Sequence, residues 1–531
     1  MALSSTQSQA LAHLLRRAGF GASPEQWRTY EKLGVAGTTD ALLHPERTPD
    51  RLTELMSVIG GDYVDFNDIN SLKSWWLYRM VHSERPLEEK MTLFWHCHFA
   101  TANYKVDNPQ RMWAQNALFR KYGLGSFRTL LSQVARDPAM LVWLDGAQNR
   151  VGAPNENFAR EVMELFTLGR GNGYTEKDVQ EAARSFTGWR YADAPGGFVY
   201  DPTAHDDGEK TVLGQTGNWH GDDVIAILAA RPETAKRICT RLFTFFVHDE
   251  PTDGFIQKLC DVYFANDFEI RAVLKAIFSS DEFFSPRARF AKIKSPTEFA
   301  VMTIRSLDAP MSSARDLGQD LNQMGQDLFY PPNVRGWLEG RNWINTRTLL
   351  ARVNFASVLA DEMSRRVSLL DRLRGMATTE GMMGGAAMPA PAMGGAMMGG
   401  AMNASMGAMN APAMSGAMVA GGSMSAPAMT DGGSMAAMGS SNNPGMTAPA
   451  KGGAMTAPPP RSSTAQLDAT GALDVCWQAL FRGMEMLPAT RAQLLSYLTD
   501  GKAENETQPV RRDKIPGLLN LLVSLPEYQV C

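Results

Sequence analysis

The sequence predicts a mainly α, multi-helical single globular domain with a small β-hairpin or ordered loop region, interrupted by a disordered low-complexity insertion. Three observations predict it. Amphipathic spacing with helix-start signals runs through most of the chain to about residue 370. One Gly- and Asp-rich stretch breaks that pattern with short β-prone runs. Composition then changes abruptly near Met376.

The helical signals come in chain order. Ser23, Pro24 and Gln26 in "SPEQW" supply an N-cap, a proline at the first helical position and a capping-box partner. Thr175 and Asp178 in "YTEKDVQEAARSF" form a similar start, with Val179, Ala182, Ala183 and Phe186 following at helical spacing. Ser295 and Pro296 open another helix. The exception, "GGFVYDPTAHDDGEKTVLGQTGNWHGDD", reads as a hairpin or ordered loop packed over helices, with an apolar helix from about Asp223. "FYPPNVRGWLEGRNWINT" is irregular but aromatic, a loop expected to dock on the core.

Residues 1–375 are read as the main part of the helical domain. From 376 to 463 the chain is Ala, Gly, Met, Pro, Ser and Asn and holds 18 of the 31 methionines. Gly and Pro break helices there, and small side chains bury too little area to offset chain entropy, so disorder is expected. Thioethers suit Cu(I), but the spacing is irregular and no histidine accompanies it, so a flexible insertion is the preferred reading. Residues 464–531 resume helical patterning in "GALDVCWQALFRGMEML" and "KIPGLLNLLVSLPEYQV". Two apolar helices cannot make a core alone, so they are expected to complete the same domain.

Composition narrows the function classes. With 52 basic and 56 acidic residues interspersed and a net charge of −4, there is no electrostatic footprint for nucleic acid or an anionic membrane. No run approaches the length of a membrane span. Cys97, Cys239, Cys260, Cys476 and Cys531 are scattered, odd in number and contain no CxxC pair, which argues against a disulfide framework and for a reducing compartment. The N-terminus lacks an apolar signal core, so the chain as written reads as cytoplasmic. No GxSxG, HExxH, P-loop or dinucleotide fingerprint appears.

Three constellations carry candidate chemistry. "FWHCHFAT" places His96 and His98 around Cys97. On a helix His98 falls in the apolar face with Phe94 and Trp95, while His96 lies about 160° away, so the pair cannot chelate one ion. "PNENFAREVMELFTLG" has Asn155 as N-cap and Gly169 just past the end, with Val162, Leu165 and Phe166 on the apolar face. Glu156, Arg160 and Glu164 form a stripe opposite. That stripe is either a solvated ion-pair ladder or the wall of a polar interior, where Glu161 and Glu164 bind a metal or hold a histidine. No Glu-x-x-His pair supports a di-iron bundle. The third is the loop cluster Asp201, His205, Asp206 and Asp207 followed by His220, Asp222 and Asp223. Loop His and Asp clusters suit hydrolytic or metal chemistry, although "DDG" is also ordinary turn chemistry and Asp222 or Asp223 an ordinary N-cap.

The assembled segments "HLLRRAGFGASPEQ", "EKMTLFWHCHFAT", "VARDPAMLVWLDGAQN", "APNENFAREVMELFTLG", "YTEKDVQEAARSFTGWR", "HDDGEKTVLGQTGN", "KIKSPTEF", "GQDLFYPPNVRGW" and "SLPEYQ" resemble the bacterial domain of unknown function 1800 family. The resemblance covers nearly all the chain outside the Met-rich tract. It implies no stated activity; it does imply export in many members and a sulfatase-like partner protein. Two function classes follow. The first is a metal- or haem-assisted enzyme in which His98, Arg160, Glu161 and His205 are catalytic and His96 and Glu164 are metal ligands in one pocket. The second is a non-catalytic helical scaffold that binds a partner protein, with the polar motifs acting as internal hydrogen-bond networks.

Overall fold

Local capping chemistry sets the helix starts. In the computed structural model the Ser23 hydroxyl accepts from the Gln26 amide at 3.2 Å, and the Gln26 side chain accepts from the Ser23 amide at 3.1 Å. Thr175 with Asp178, and Ser295 with Glu298, make the same reciprocal pair. The structure describes residues 3–53, 64–192, 197–309, 311, 316–366, 467–511 and 513–531. The Met-rich tract 376–463 lies outside the described residues.

The principal helices are α1 Ser5–Arg17, α2 Pro24–Leu43, α3 Ile69–His82, α4 Pro86–His98, α5 Pro109–Tyr122, α6 Phe127–Ala135, α7 Pro138–Trp143, α8 Glu156–Glu161 and α9 Glu176–Ser185. Two antiparallel hairpins follow. The first pairs β1 Trp189–Tyr191 with β2 Phe198–Tyr200, placing Trp189 opposite Tyr200. The second pairs β3 Lys210–Val212 with β4 Gln215–Gly217. The chain continues through α10 Gly221–Ala229, α11 Pro232–Phe246, α12 Asp253–Ala265, α13 Ile270–Phe278, α14 Pro296–Ser306, α15 Leu317–Gln323 and α16 Thr346–Arg366. It ends with α17 Ala469–Phe481, α18 Pro488–Thr499 and α19 Lys514–Ser524. The fold is mainly helical; among the described residues three of the four strands lie in the Gly- and Asp-rich stretch, and the first, β1, precedes it in the "GWRY" segment that the patterning did not mark as a strand.

Two helices, α4 and α14, are buried on almost every side. A helix sunk this deep cannot leave its charged residues unpaired. Lys90 of α4 therefore pairs with Glu298 of α14 inside the core. Glu89 of α4 accepts from Arg79, Arg120 and the Trp76 indole. Arg305, at the end of α14, donates to the carbonyls of Met80 and Val81 and so caps the last turn of α3. At the far end of the chain, α19 packs along α16 and α17 packs on α14. Among the described residues no helix is long and apolar enough to cross a membrane.

One segment departs from regular helix. After α8 the backbone widens into a π-helical turn, Val162–Thr167, so Val162, Met163 and Phe166 are buried while Leu165 is only half-buried. A π turn shifts the side-chain phase, which the 100° spacing of an ideal helix does not anticipate. It also leaves terminal carbonyls for side chains: Arg237 donates twice to Leu165, at 2.9 and 2.7 Å.

Candidate metal centre

The loop after the first hairpin is built around a glycine. Gly188 follows α9 with φ +82°, a backbone conformation that favours glycine. Its carbonyl accepts from the Asp201 amide at 2.8 Å, and its amide donates to Asn149 at 3.2 Å. Asp201 starts a short turn, Pro202–Ala204, by accepting from the Thr203 amide at 3.0 Å. That turn delivers His205 against Thr187. Asp206 is then fixed from two sides, by a two-pronged contact from Arg184 at 2.8 and 3.0 Å and by its amide donating to the Thr187 hydroxyl at 2.8 Å. Lys210, itself buried, donates to the carbonyls of Asp206 and Gly208 on either side of Asp207. The carboxylate of Asp207 is left exposed.

His205 is 4% exposed, and its Nδ1 lies 2.8 Å from the Thr187 carbonyl oxygen. A carbonyl only accepts, so Nδ1 carries the proton and the Nε2 lone pair is free. Nε2 is buried and has no hydrogen-bond partner. Burial holds this imidazole below its ordinary pKa. His220, partly exposed at the start of α10, stacks on it with ring centroids 4.3 Å apart and planes 9° from parallel. Its own amide donates to Asp223 at 2.8 Å, which anchors the helix start. The Tyr200 ring stands edge-on to both histidines, 5.6 Å from His205 and 6.2 Å from His220.

One ligand atom each from His205, Asp207 and His220 lies within 4.8 Å of the others. Two imidazole nitrogens and a carboxylate oxygen are the donor set of a borderline transition metal, and bonds of about 2.0–2.2 Å are required. Parallel stacked rings do not aim their lone pairs at one point, so His220, the more open of the two, has to turn for both to coordinate. The Nδ1–H contact to a backbone carbonyl is the partner that metal-ligating histidines commonly have.

The remaining predicted residues fall into separate groups. His98 is buried, with Nε2 3.1 Å from the Phe166 carbonyl and its ring among Phe94, Trp95 and Phe99. It therefore meets the backbone of the segment that carries Glu164, on the apolar side and away from the carboxylate stripe. His96 points the other way, among Trp76, Phe329 and Trp337, and its Nε2 accepts from the Phe329 amide at 3.1 Å. Burial holds His96 down at about 3 and His98 well below its ordinary value. Arg160 binds Glu156 at 2.9 Å and Glu176 at 2.6 Å and lies 3.9 Å from Glu164. Arg160, Glu164 and the exposed Glu176 line an open groove with Arg170, Tyr174 and Arg335, which is the ladder form of the stripe. Glu161 is half-buried with its pKa raised by burial and by Glu164.

The sequence profile of a family described as "Protein of unknown function (DUF1800)" matches residues 13–530. The chain belongs to the DUF1800 family. Comparisons with curated proteins and with solved structures gave no match.

Within this DUF1800 chain, sequence reasoning singled out His205 and placed Asp207 and His220 in the same loop cluster without choosing them. It missed Thr187 and Gly188, which lie in the "SFTGWR" motif of this DUF1800 member. The one signal for them is a glycine shortly after a helix and just before an aromatic strand, which marks a close backbone approach without saying to what.

Proposed function

We propose that the DUF1800 chain is a metal-assisted enzyme whose reactive centre is the loop site of His205, Asp207 and His220. The carrying observation is His205 itself: a buried imidazole fixed in one tautomer by Thr187, with an unpartnered Nε2 beside a second histidine and an exposed carboxylate. An unpaired buried nitrogen costs about 1–3 kcal/mol, and a metal ion removes that cost. Three protein ligands leave positions for an outside ligand, the arrangement of a catalytic metal site. Nitrogen donors favour zinc, iron or another late transition metal over magnesium or calcium.

The same reading moves His96 and His98 out of the chemistry. Both are held by backbone groups within aromatic packing. This half of the molecule favours the scaffold reading, in which buried polar groups fix one packing arrangement.

The test is elemental analysis and zinc titration of purified full-length protein beside three variants. The expected result is about one metal per chain, lost in His205→Ala and His220→Ala and retained in His98→Ala. Absence of metal from the purified protein together with no zinc binding at micromolar concentration overturns the proposal, as does equal binding by all four proteins.

A further inference from the structure

Helices α2, α3 and α14 border a cavity of about 530 Å³. That is the size of a small-molecule pocket. Its buried lining includes the apolar Leu42, Val81 and Ile304 and two polar side chains, Tyr30 and Arg305, at 8% and 2% exposure. The Arg305 guanidinium donates only to neutral acceptors, the carbonyls of Met80, Val81 and Ser83 and the Gln26 side chain. Among the described residues no carboxylate pairs with it, and its buried Nε has no hydrogen-bond partner. A buried charge without a counter-ion is costly, and an N–H without an acceptor adds to that cost. Burial lowers the guanidinium pKa only to about 10, so it stays charged at neutral pH. Burial also raises the pKa of the Tyr30 phenol, which keeps its proton and can donate it to a hydrogen bond.

We propose that this cavity is a binding site for an apolar monocarboxylate, whose carboxylate accepts from Arg305 and Tyr30 and whose hydrocarbon lies against Leu42, Val81 and Ile304. The ligand supplies the missing counter-charge and the missing acceptor together, through charge-assisted hydrogen bonds, which are the stronger class. The other basic groups of the lining do not compete as the anchor. Arg85 is already held by the Thr48 carbonyl at 2.7 Å and by Glu88, and burial and the Arg305 charge hold His82 below its ordinary pKa. The exposed part of the lining carries Glu25, Glu84 and Asp308 and sets the class of anion. Three carboxylates there repel a phosphate or a dicarboxylate. A ligand with one charge, held at the buried end, presents only hydrocarbon to them.

The experiment is isothermal titration calorimetry of the full-length protein with hexanoate, 1-hexanol and adipate. The expected result is one hexanoate per chain, bound at least about tenfold more tightly than either 1-hexanol or adipate. Removing Arg305 would also uncap α3, so the residue-level test uses Tyr30→Phe, which keeps the ring and its packing. That variant should bind hexanoate at least about fivefold more weakly. His205→Ala, which removes the proposed metal site, should bind hexanoate as the unsubstituted protein does. No saturable hexanoate binding up to about 10 mM overturns the proposal. So does 1-hexanol or adipate binding as tightly as hexanoate, an unchanged affinity in Tyr30→Phe, or loss of hexanoate binding in His205→Ala.

Discussion

Gly188 and His205 approach so closely that a β-carbon on Gly188 would lie 3.3 Å from the His205 Cβ and 2.5 Å from the Asp201 carbonyl oxygen. The carbonyl belongs to the turn that delivers His205, so it cannot yield without moving the imidazole. With φ at +82° an alanine is strained as well. Gly188→Ala should therefore destabilise the fold by about 1–3 kcal/mol and weaken zinc binding by at least about tenfold. Urea unfolding and competitive zinc titration measure the two effects; unchanged zinc affinity would contradict the role given to this approach.

Glu89 is fully buried and accepts from Arg79 at 2.8 Å, from Arg120 at 2.7 and 2.9 Å and from Trp76 at 3.1 Å. Burial alone would raise its pKa, but the Arg120 and Arg79 guanidiniums overcome burial and hold it at about 2. A depressed folded pKa gives stability that is complete above the unfolded value of about 4.3 and is lost as pH falls toward 2. Glu89→Gln leaves two guanidiniums short of their counter-charge and should cost about 3–5 kcal/mol at neutral pH. The loss should shrink as pH falls from about 4 toward 2, read from denaturant midpoints.

Three buried histidines act in the same acidic direction. Burial holds His13 down at about 2, with Arg17 and Arg16 adding to the effect, and burial holds His96 at about 3 and His98 well below its ordinary value. The folded state keeps all three neutral, while the unfolded chain protonates them near pH 6.5. Stability should fall as pH drops from about 6.5 to 3, by up to about 1.4 kcal/mol per pH unit for each group. His98→Gln should reduce that slope by about one proton in a pH series of unfolding free energies.

Asp137 caps α7, accepting from the Met140 amide at 3.0 Å and the Gln115 side chain at 2.8 Å. Burial pushes its pKa up to about 7 against those hydrogen bonds. Between about pH 4 and 7 the folded state holds a proton that the unfolded state has released, so this group's contribution falls as pH rises through that window. Asp137→Asn keeps a capping oxygen without a charge. The variant should gain stability relative to the unsubstituted protein as pH goes from about 4 to 8, and parallel pH profiles would refute this assignment.

The sequence by itself determined the helical class, the helix starts and the family. These rest on information local in the chain: Ser23 finds Gln26 and Thr175 finds Asp178 three residues away. The opposite pointing of His96 and His98 was legible for the same reason, since helical phase is a local property. The π turn at Val162–Thr167 already exceeds it, because its carbonyls are claimed by Arg237 and His98 from distant segments. Only the tertiary structure decided which polar groups are spent on the core and which remain available. Arg160 took the ladder role once Glu176 arrived from the next helix. His205 kept a free Nε2 because Thr187, 18 residues earlier, occupied Nδ1. Availability of a lone pair depends on what the chain brings against it from far away, and periodicity does not encode that.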